Sequence, residues 1–214
     1  KSHLGPQGCC LQSQEFYETD MNRGFARGYT MQILRGFGPV ETAVSGVLRR
    51  DIPWGENHHK SFKKSFGHTI GMGIIVEDFP EAHNTVTLDS SIVDKNGIPA
   101  PKISYTLSEN SKKMLAHGLA RGKDVMKAAA SIKELSFGPV RHAGWHLMGT
   151  ARMGRDPNHS VVNEWGQCHD VKNIFIVDSS IFVTSGGVNP MSTMQAICLY
   201  ITDSIKQNLN NLLD

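Results

Sequence analysis

Ile70-Gly71-Met72-Gly73-Ile74-Ile75-Val76 and, after a short break, Asn84-Thr85-Val86-Thr87-Leu88-Asp89 are the stretches that decide the fold. In the first, Ile70, Met72, Ile74 and Val76 fall on alternate positions, the period of a strand with one apolar face. The spacing predicts a strand over His68–Phe79 and a second over Asn84–Asp89. Asp94-Lys95-Asn96-Gly97 carries strong turn chemistry, so the chain is expected to reverse there and return over Ile103–Leu107. Upstream, Phe25–Leu34 places Tyr29, Met31 and Ile33 on one face and ends at the turn Gly36-Phe37-Gly38-Pro39. The connections are too short for helical crossovers, so the sheet is expected to be mostly antiparallel.

Helical patterning takes over at Ser108. This residue can cap a helix running to about Leu135, with Met114, Leu115, Leu119, Val125, Met126 and Ile132 as its apolar face. Gly118 and Gly122 are expected to weaken its middle, and Gly138-Pro139 closes it. Val161–Gly166 is then expected as a hairpin arm and Asn173–Val177 as a short buried strand. Asn189-Pro190 opens a last helix to about Leu209, with Met191, Met194, Ile197, Cys198, Ile201 and Ile205 as its buried stripe. The fold class expected is α+β: a mostly antiparallel sheet with packed helices, followed by a C-terminal strand and helix.

The 214 residues suffice for one sizeable domain or two small ones. A net charge of +2 gives no support to a nucleic-acid partner. The densest basic run, His58-His59-Lys60-Ser61-Phe62-Lys63-Lys64, is expected to be a solvated edge. No apolar run is long enough for a membrane span and no secretory signal is visible; the expectation is a soluble protein whose compartment, cytoplasm or periplasm, is open. Lys1 rather than Met stands first, which leaves the true start open. Cys9, Cys10, Cys168 and Cys198 show neither a disulfide framework nor zinc-ligand spacing, and no metal is expected. A metal-dependent hydrolase finds little support, because no histidine pair here has i, i+4 spacing with a nearby carboxylate on one helix.

Chemistry concentrates in the last third, in Trp145-His146-Leu147-Met148-Gly149-Thr150-Ala151-Arg152-Met153-Gly154, Ile174-Phe175-Ile176-Val177-Asp178-Ser179-Ser180 and Gly186-Gly187-Val188-Asn189-Pro190. Among ten histidines, His146 is set apart by glycines at 144, 149 and 154, which allow a ligand close to the backbone. Its imidazole suits proton transfer near neutral pH, with His142 as the local competitor. Asn189-Pro190 is a favourable helix start in its own right. The same start also offers N–H groups and partial positive charge to an anion. Asp178 at a strand end suits a turn, or hydroxyls of a ribityl or sugar chain.

Together these segments resemble the C-terminal signature of the glucose–methanol–choline (GMC) flavoprotein oxidoreductases, specifically over residues 139–207. The match is looser over 68–136, where Glu77-Asp78-Phe79-Pro80 and Asn84–Leu88 resemble the family's substrate-domain sheet. The resemblance implies that His146 is the active-site base and that Asn189 is the second active-site residue. It also implies that Asp178 and the backbone of Ser179 lie near the flavin ribityl chain, and that the N–H groups around Pro190 and Met191 face the isoalloxazine. The implied reaction oxidises an alcohol or sugar CH–OH to a carbonyl. His146 would take the hydroxyl proton, hydride would pass to flavin N5, and Asn189 would bond the substrate oxygen. A cytochrome or quinone is a possible electron acceptor for such an enzyme.

The family's Gly-x-Gly-x-x-Gly turn for the FAD pyrophosphate is not found in these residues; Gly71-Met72-Gly73 lacks the third glycine and sits inside a strand. The division expected is a lead-in over 1–67 belonging to the substrate domain, substrate-domain sheet and helix over 68–138, and a catalytic segment over 139–214. The N-terminal FAD domain is expected to be absent, full FAD binding to require it, and the piece to be inactive alone. The alternative is a non-catalytic binding module that retains the substrate-domain fold.

Overall fold

A computed structural model describes residues 9–36, 38–40, 42–44, 52–129 and 146–208. The chain is α+β, with a three-stranded antiparallel sheet, a separate two-stranded ribbon and helices packed beside them. β1 (Cys9–Ser13), β2 (Tyr29–Leu34) and β3 (Gly71–Val76) lie in that order, with β2 central. Between β2 and β3 the chain forms α1 (His58–Ser65). As expected of a solvated edge, none of its residues is buried and its lysines are exposed; Phe62 stacks on Phe66, just past the helix end, with ring centroids 5.1 Å apart.

Both faces of β2 are covered, because Tyr29, Thr30, Met31 and Gln32 are all buried. Side chains alternate across a strand, so the two apolar residues face one way and the two polar ones the other. Tyr29 and Met31 join Phe25 and Met114 in one core cluster, with Phe16, Met72, Ile74 and Val76 packed against it. α2 (Glu109–Ala128) covers this face. The Ser108 hydroxyl accepts the Ser111 N–H at 3.0 Å and caps it.

α2 turns Ser111, Met114, Gly118, Gly122 and Met126 inward, at spacings of three and four residues. The two glycines, expected to weaken the middle, lie within one continuous helix. They are its contact points with the sheet: a Cβ at Gly118 would stand 2.6 Å from Ile74 Cγ2, and one at Gly122 would stand 3.2 Å from Met72 Sδ. Close approach of helix and strand is what glycine provides here, and packing outweighs its poor helix propensity. The expected extension to Leu135, with Ile132 and Gly138-Pro139, lies outside the described residues, as does His142.

The ribbon pairs β4 (Thr85–Val93) with β5 (Pro99–Ser104). Both differ from the expected bounds. β4 continues past Asp89 because that carboxylate accepts the Ser91 and Ile92 N–H groups, at 2.7 and 3.1 Å, through a register shift. β5 starts at Pro99, about four residues before the expected Ile103, and ends at Ser104, because a two-stranded ribbon tolerates prolines that a central strand would reject. The turn forms as expected, with Asp94 Oδ1 accepting the Asn96 and Ile98 N–H groups and Gly97 at φ +80°.

The C-terminal part has its own core of Val162, Ile181 and Ile201, with Met153, Ile176, Phe182, Ile197 and Ile205 around it. α3 (Met191–Asn208) supplies Ile197, Ile201 and Ile205, and the Cys198 thiol donates to the Val177 carbonyl at 3.0 Å. Met191, expected in the buried stripe, is instead exposed at the helix start. Residues 173–177 and 161–166 form no continuous strands. Isolated bridges stand in their place, Val162 with Met153 and Cys168 and Gln167 with Phe175, around a tight turn at Gly166 (φ +70°).

Two outcomes follow from this packing. Gly118→Ala gains helix propensity of about 1 kcal/mol. It also forces a methyl into Ile74, and overpacking of this kind costs about 1–3 kcal/mol. A lower urea midpoint is expected; an unchanged or higher one would mean that α2 can ride away from the sheet. Burial raises the Tyr29 phenol to about 12, and Tyr105 is raised by burial and by its hydrogen bond to Asp78. An unfolded tyrosine releases its proton near about pH 10. Stability is therefore full below that pH and falls as pH rises towards 12, because the unfolded chain binds fewer protons there. Urea titrations across this window should show a shallower fall in Tyr29→Phe.

Candidate active site

His146, half-buried, begins a loop that is zipped to the turn after residue 177. The N–H groups of Gly149, Ala151 and Met153 donate in succession to the carbonyls of Ser179, Ser180 and Ile181, at 3.3, 2.9 and 2.8 Å. The Ser179 hydroxyl donates to the Leu147 carbonyl at 2.8 Å, directly beside His146. Gly149 has φ +84°, and a side chain there would press on the Phe182 carbonyl at 3.2 Å. Glycine is required by both the backbone conformation and the space.

Asp178 starts that turn. Its Oδ1 accepts the Ser180 N–H at 2.8 Å, capping the 3-10 turn Ser179–Ile181. Hydrogen bonds from Ser180 hold the exposed carboxyl below its ordinary range, so it is an anion at neutral pH. Asp178 therefore has a structural task as a cap, and Ser179 has one as the tie to the histidine loop.

Asn189 stands just before α3, whose first backbone bond runs from the Met194 N–H to the Pro190 carbonyl at 2.9 Å. The N–H groups of Met191, Ser192 and Thr193 precede that bond and have no carbonyl within the helix to receive them. They form a positive helix end beside Asn189. The Asn189 amide lies against His146, with Nδ2 3.3 Å from Nε2. Residues 43 positions apart in sequence thus share one site. An unprotonated imidazole nitrogen and an amide donor side by side can together hold a hydroxyl, one taking its proton and the other bonding its oxygen.

The polar side of β2 carries the rest. Gln32, buried, donates from Nε2 to Asn189 Oδ1 and, at 3.0 Å, to Oε1 of Gln12 on the neighbouring strand. The Thr30 hydroxyl donates to the Gly187 carbonyl at 2.6 Å. Gly187 is seated against the strand itself: a Cβ would stand 3.0 Å from the Gly28 carbonyl and 3.1 Å from Tyr29 Cα. One step back, the Ser185 hydroxyl donates to the Asp78 carbonyl at 2.6 Å. The Asp78 carboxylate receives the hydroxyls of Ser111 and Tyr105, tying the end of β3 to the start of α2.

Sequence patterning alone missed Thr30, Gln32 and Gln12. Polar residues alternating with apolar ones usually mark the wet side of a sheet. The available signal was the register, which sets Gln12 opposite Gln32 and Gln32 opposite Gly73 on one face. Among the described residues, no three His, Cys, Asp or Glu side chains gather as a metal site, and no helix is long and apolar enough to cross a membrane.

A family model described as GMC oxidoreductase matches residues 80–198. The 2-methyl-1,2-propanediol dehydrogenase of Mycolicibacterium austroafricanum is 38% identical over 215 residues, covering 100% of this chain and 39% of that protein. The 6'''-hydroxyparomomycin C oxidase of Streptomyces lividus is 30% identical, covering 97% of this chain and 40% of that protein. The fructose dehydrogenase large subunit of Gluconobacter japonicus is 30% identical, covering 72% of this chain and 28% of that protein. The chain spans about two fifths of the length of the first two relatives and matches their C-terminal portion. This chain belongs to the GMC oxidoreductase family.

Proposed function

We propose that this chain carries the proton-handling pair and the flavin-facing helix of an FAD-dependent oxidoreductase that converts an alcohol or sugar CH–OH group to a carbonyl. The observation that carries the proposal is the His146–Asn189 contact at the N-terminus of α3. His146 is the base, taking the hydroxyl proton at Nε2. Asn189 donates from Nδ2 to the same oxygen and fixes its position, so that the carbon is held ready for hydride loss.

The residues present fit the ring end of a flavin. The N–H groups of Met191, Ser192 and Thr193, which have no acceptor within the helix, and the helix dipole favour an anionic partner, and Pro190 begins that turn without an N–H of its own. Met191 is exposed there and open to contact. A bound flavin supplies the two-electron acceptor for the hydride. Asp178 and the Ser179 backbone, tied to the histidine loop through Leu147, are assigned to the ribityl hydroxyls. Contacts to the pyrophosphate and adenine are assigned to no residue of this chain.

The names of the relatives denote a diol, an aminoglycoside and a ketose. An alcohol or sugar substrate is the common chemistry. A cytochrome or quinone acceptor and an oxygen acceptor suit the proposed site equally, since its residues act on the substrate side. The sheet and α2 are assigned to the substrate domain, and the segment from His146 onward to catalysis.

Bound flavin is read from the visible absorbance of the protein with and without added FAD, and turnover from bleaching of that flavin by an alcohol and sugar panel. In the flavin-loaded protein, His146→Ala should lower the rate of bleaching by about 10²–10⁴-fold, the span of general acid–base catalysis. A rate close to wild type would remove His146 from the base role. Asn189→Ala should slow bleaching while leaving bound flavin largely in place. Loss of flavin with an unchanged rate per flavin would make Asn189 a binding residue only.

A further inference from the structure

We infer that Gln32 is a positioning residue that sets the tautomer of His146, acting through the amide of Asn189. The inference rests on the proposed base role of His146 and adds the device that keeps Nε2 ready to accept a proton. Four side chains form one line of hydrogen bonds. Gln12 Oε1 and Asn189 Oδ1 both receive protons from Gln32 Nε2, and Asn189 Nδ2 meets His146 Nε2 at 3.3 Å.

Each carboxamide has a donor end and an acceptor end, so fixing one fixes the next. A primary amide nitrogen carries two protons, enough for both acceptors of Gln32. With Oδ1 engaged by Gln32, Asn189 turns its donor end to the imidazole. Nε2 must then accept, and the proton of the neutral ring sits on Nδ1. Free histidine favours the opposite tautomer, so the protein has to impose this one. The tautomer of the wild-type ring decides between this orientation and its reverse, which satisfies the same atoms. The reverse would set Oδ1 against Nε2, hold a proton there, and leave no lone pair for a substrate hydroxyl.

Gln32 is suited to this task because it is 4% exposed, on the central strand of the sheet, with water excluded as a competing partner. Its neighbour across β3 is Gly73, which adds no side chain to the same face. Thr30, two residues earlier on that face, holds the Gly187 carbonyl and so places Asn189 at the right height above the strand. Asn189 itself is exposed and has no such constraint of its own.

Nitrogen-15 NMR of the histidine-labelled chain, at a pH where the ring is neutral, reads the tautomer directly. In wild type the His146 Nε2 resonance is expected in the unprotonated, pyridine-like range and Nδ1 in the protonated, pyrrole-like range. Gln32→Glu offers acceptors only. Asn189 should then turn its donor end to Glu and its Oδ1 to the imidazole, moving Nε2 to the protonated range. Gln32→Met removes both ends without placing a charge at this buried position. It should release the ring towards the tautomer that free histidine prefers. A protonated Nε2 in wild type overturns the inference, as does an unchanged tautomer in both variants. Either failure leaves the base role to be decided separately by turnover of His146→Ala.

Discussion

The structure depends on a seam in which the polar side of β2 grips the segment ahead of α3. Thr30 and Gln32 reach from the central strand to Gly187 and Asn189, 157 residues further along the chain. A net hydrogen bond in a protein is worth only about 1 kcal/mol, but a buried polar group left without its partner costs about 1–3 kcal/mol. Thr30 is fully buried and Gln32 nearly so, which makes the seam more expensive to open than its bonds alone suggest. The seating of Gly187 on the strand backbone makes the approach specific, since any side chain would hold the two parts apart.

On either side of this seam stands an independent core. α2 closes one through the glycine contacts with Ile74 and Met72, and α3 closes the other around Val162 and Ile181. Asp78 reinforces the junction by a different route, since its backbone carbonyl takes the Ser185 hydroxyl and its carboxylate takes Ser111 and Tyr105. The site is therefore held by a sheet, two helices and a zipped loop, and its two central side chains come from separate loops. Catalytic groups on loops placed by a rigid scaffold are a common solution in enzymes.

Much of this was legible in the residues. Alternation disclosed β2 and β3, Ser108 announced α2, and Asn189-Pro190 marked the start of α3 within a residue or two. What could not be read was governed by partners distant in sequence. β1 has weak periodicity of its own and owes its strand form to pairing with β2. Pro99 and Pro101 argue against a strand locally, yet a ribbon with only one neighbour accepts them. Gly118 and Gly122 read locally as weak helix, and only the strand beneath them shows why side chains are absent. Around the candidate site, His146 and Asn189 were legible as a family pattern. Gln32 and Thr30 were not, because a buried polar residue in an apolar strand looks the same as a wet one until its acceptor is known.

The distance along the chain between the two sides of the seam also orders assembly. Local elements such as α2 and the β4–β5 ribbon close short loops and can form early. The Gln32–Asn189 contact closes a far longer loop, and gains nothing until both cores exist to support it. Local opening of native proteins starts where contacts are few and exposed. The loop carrying Asn189 is not such a place, because buried Thr30 and Gln32 hold it, so the pairing of Asn189 with His146 is acquired last in folding yet opens only with the seam itself.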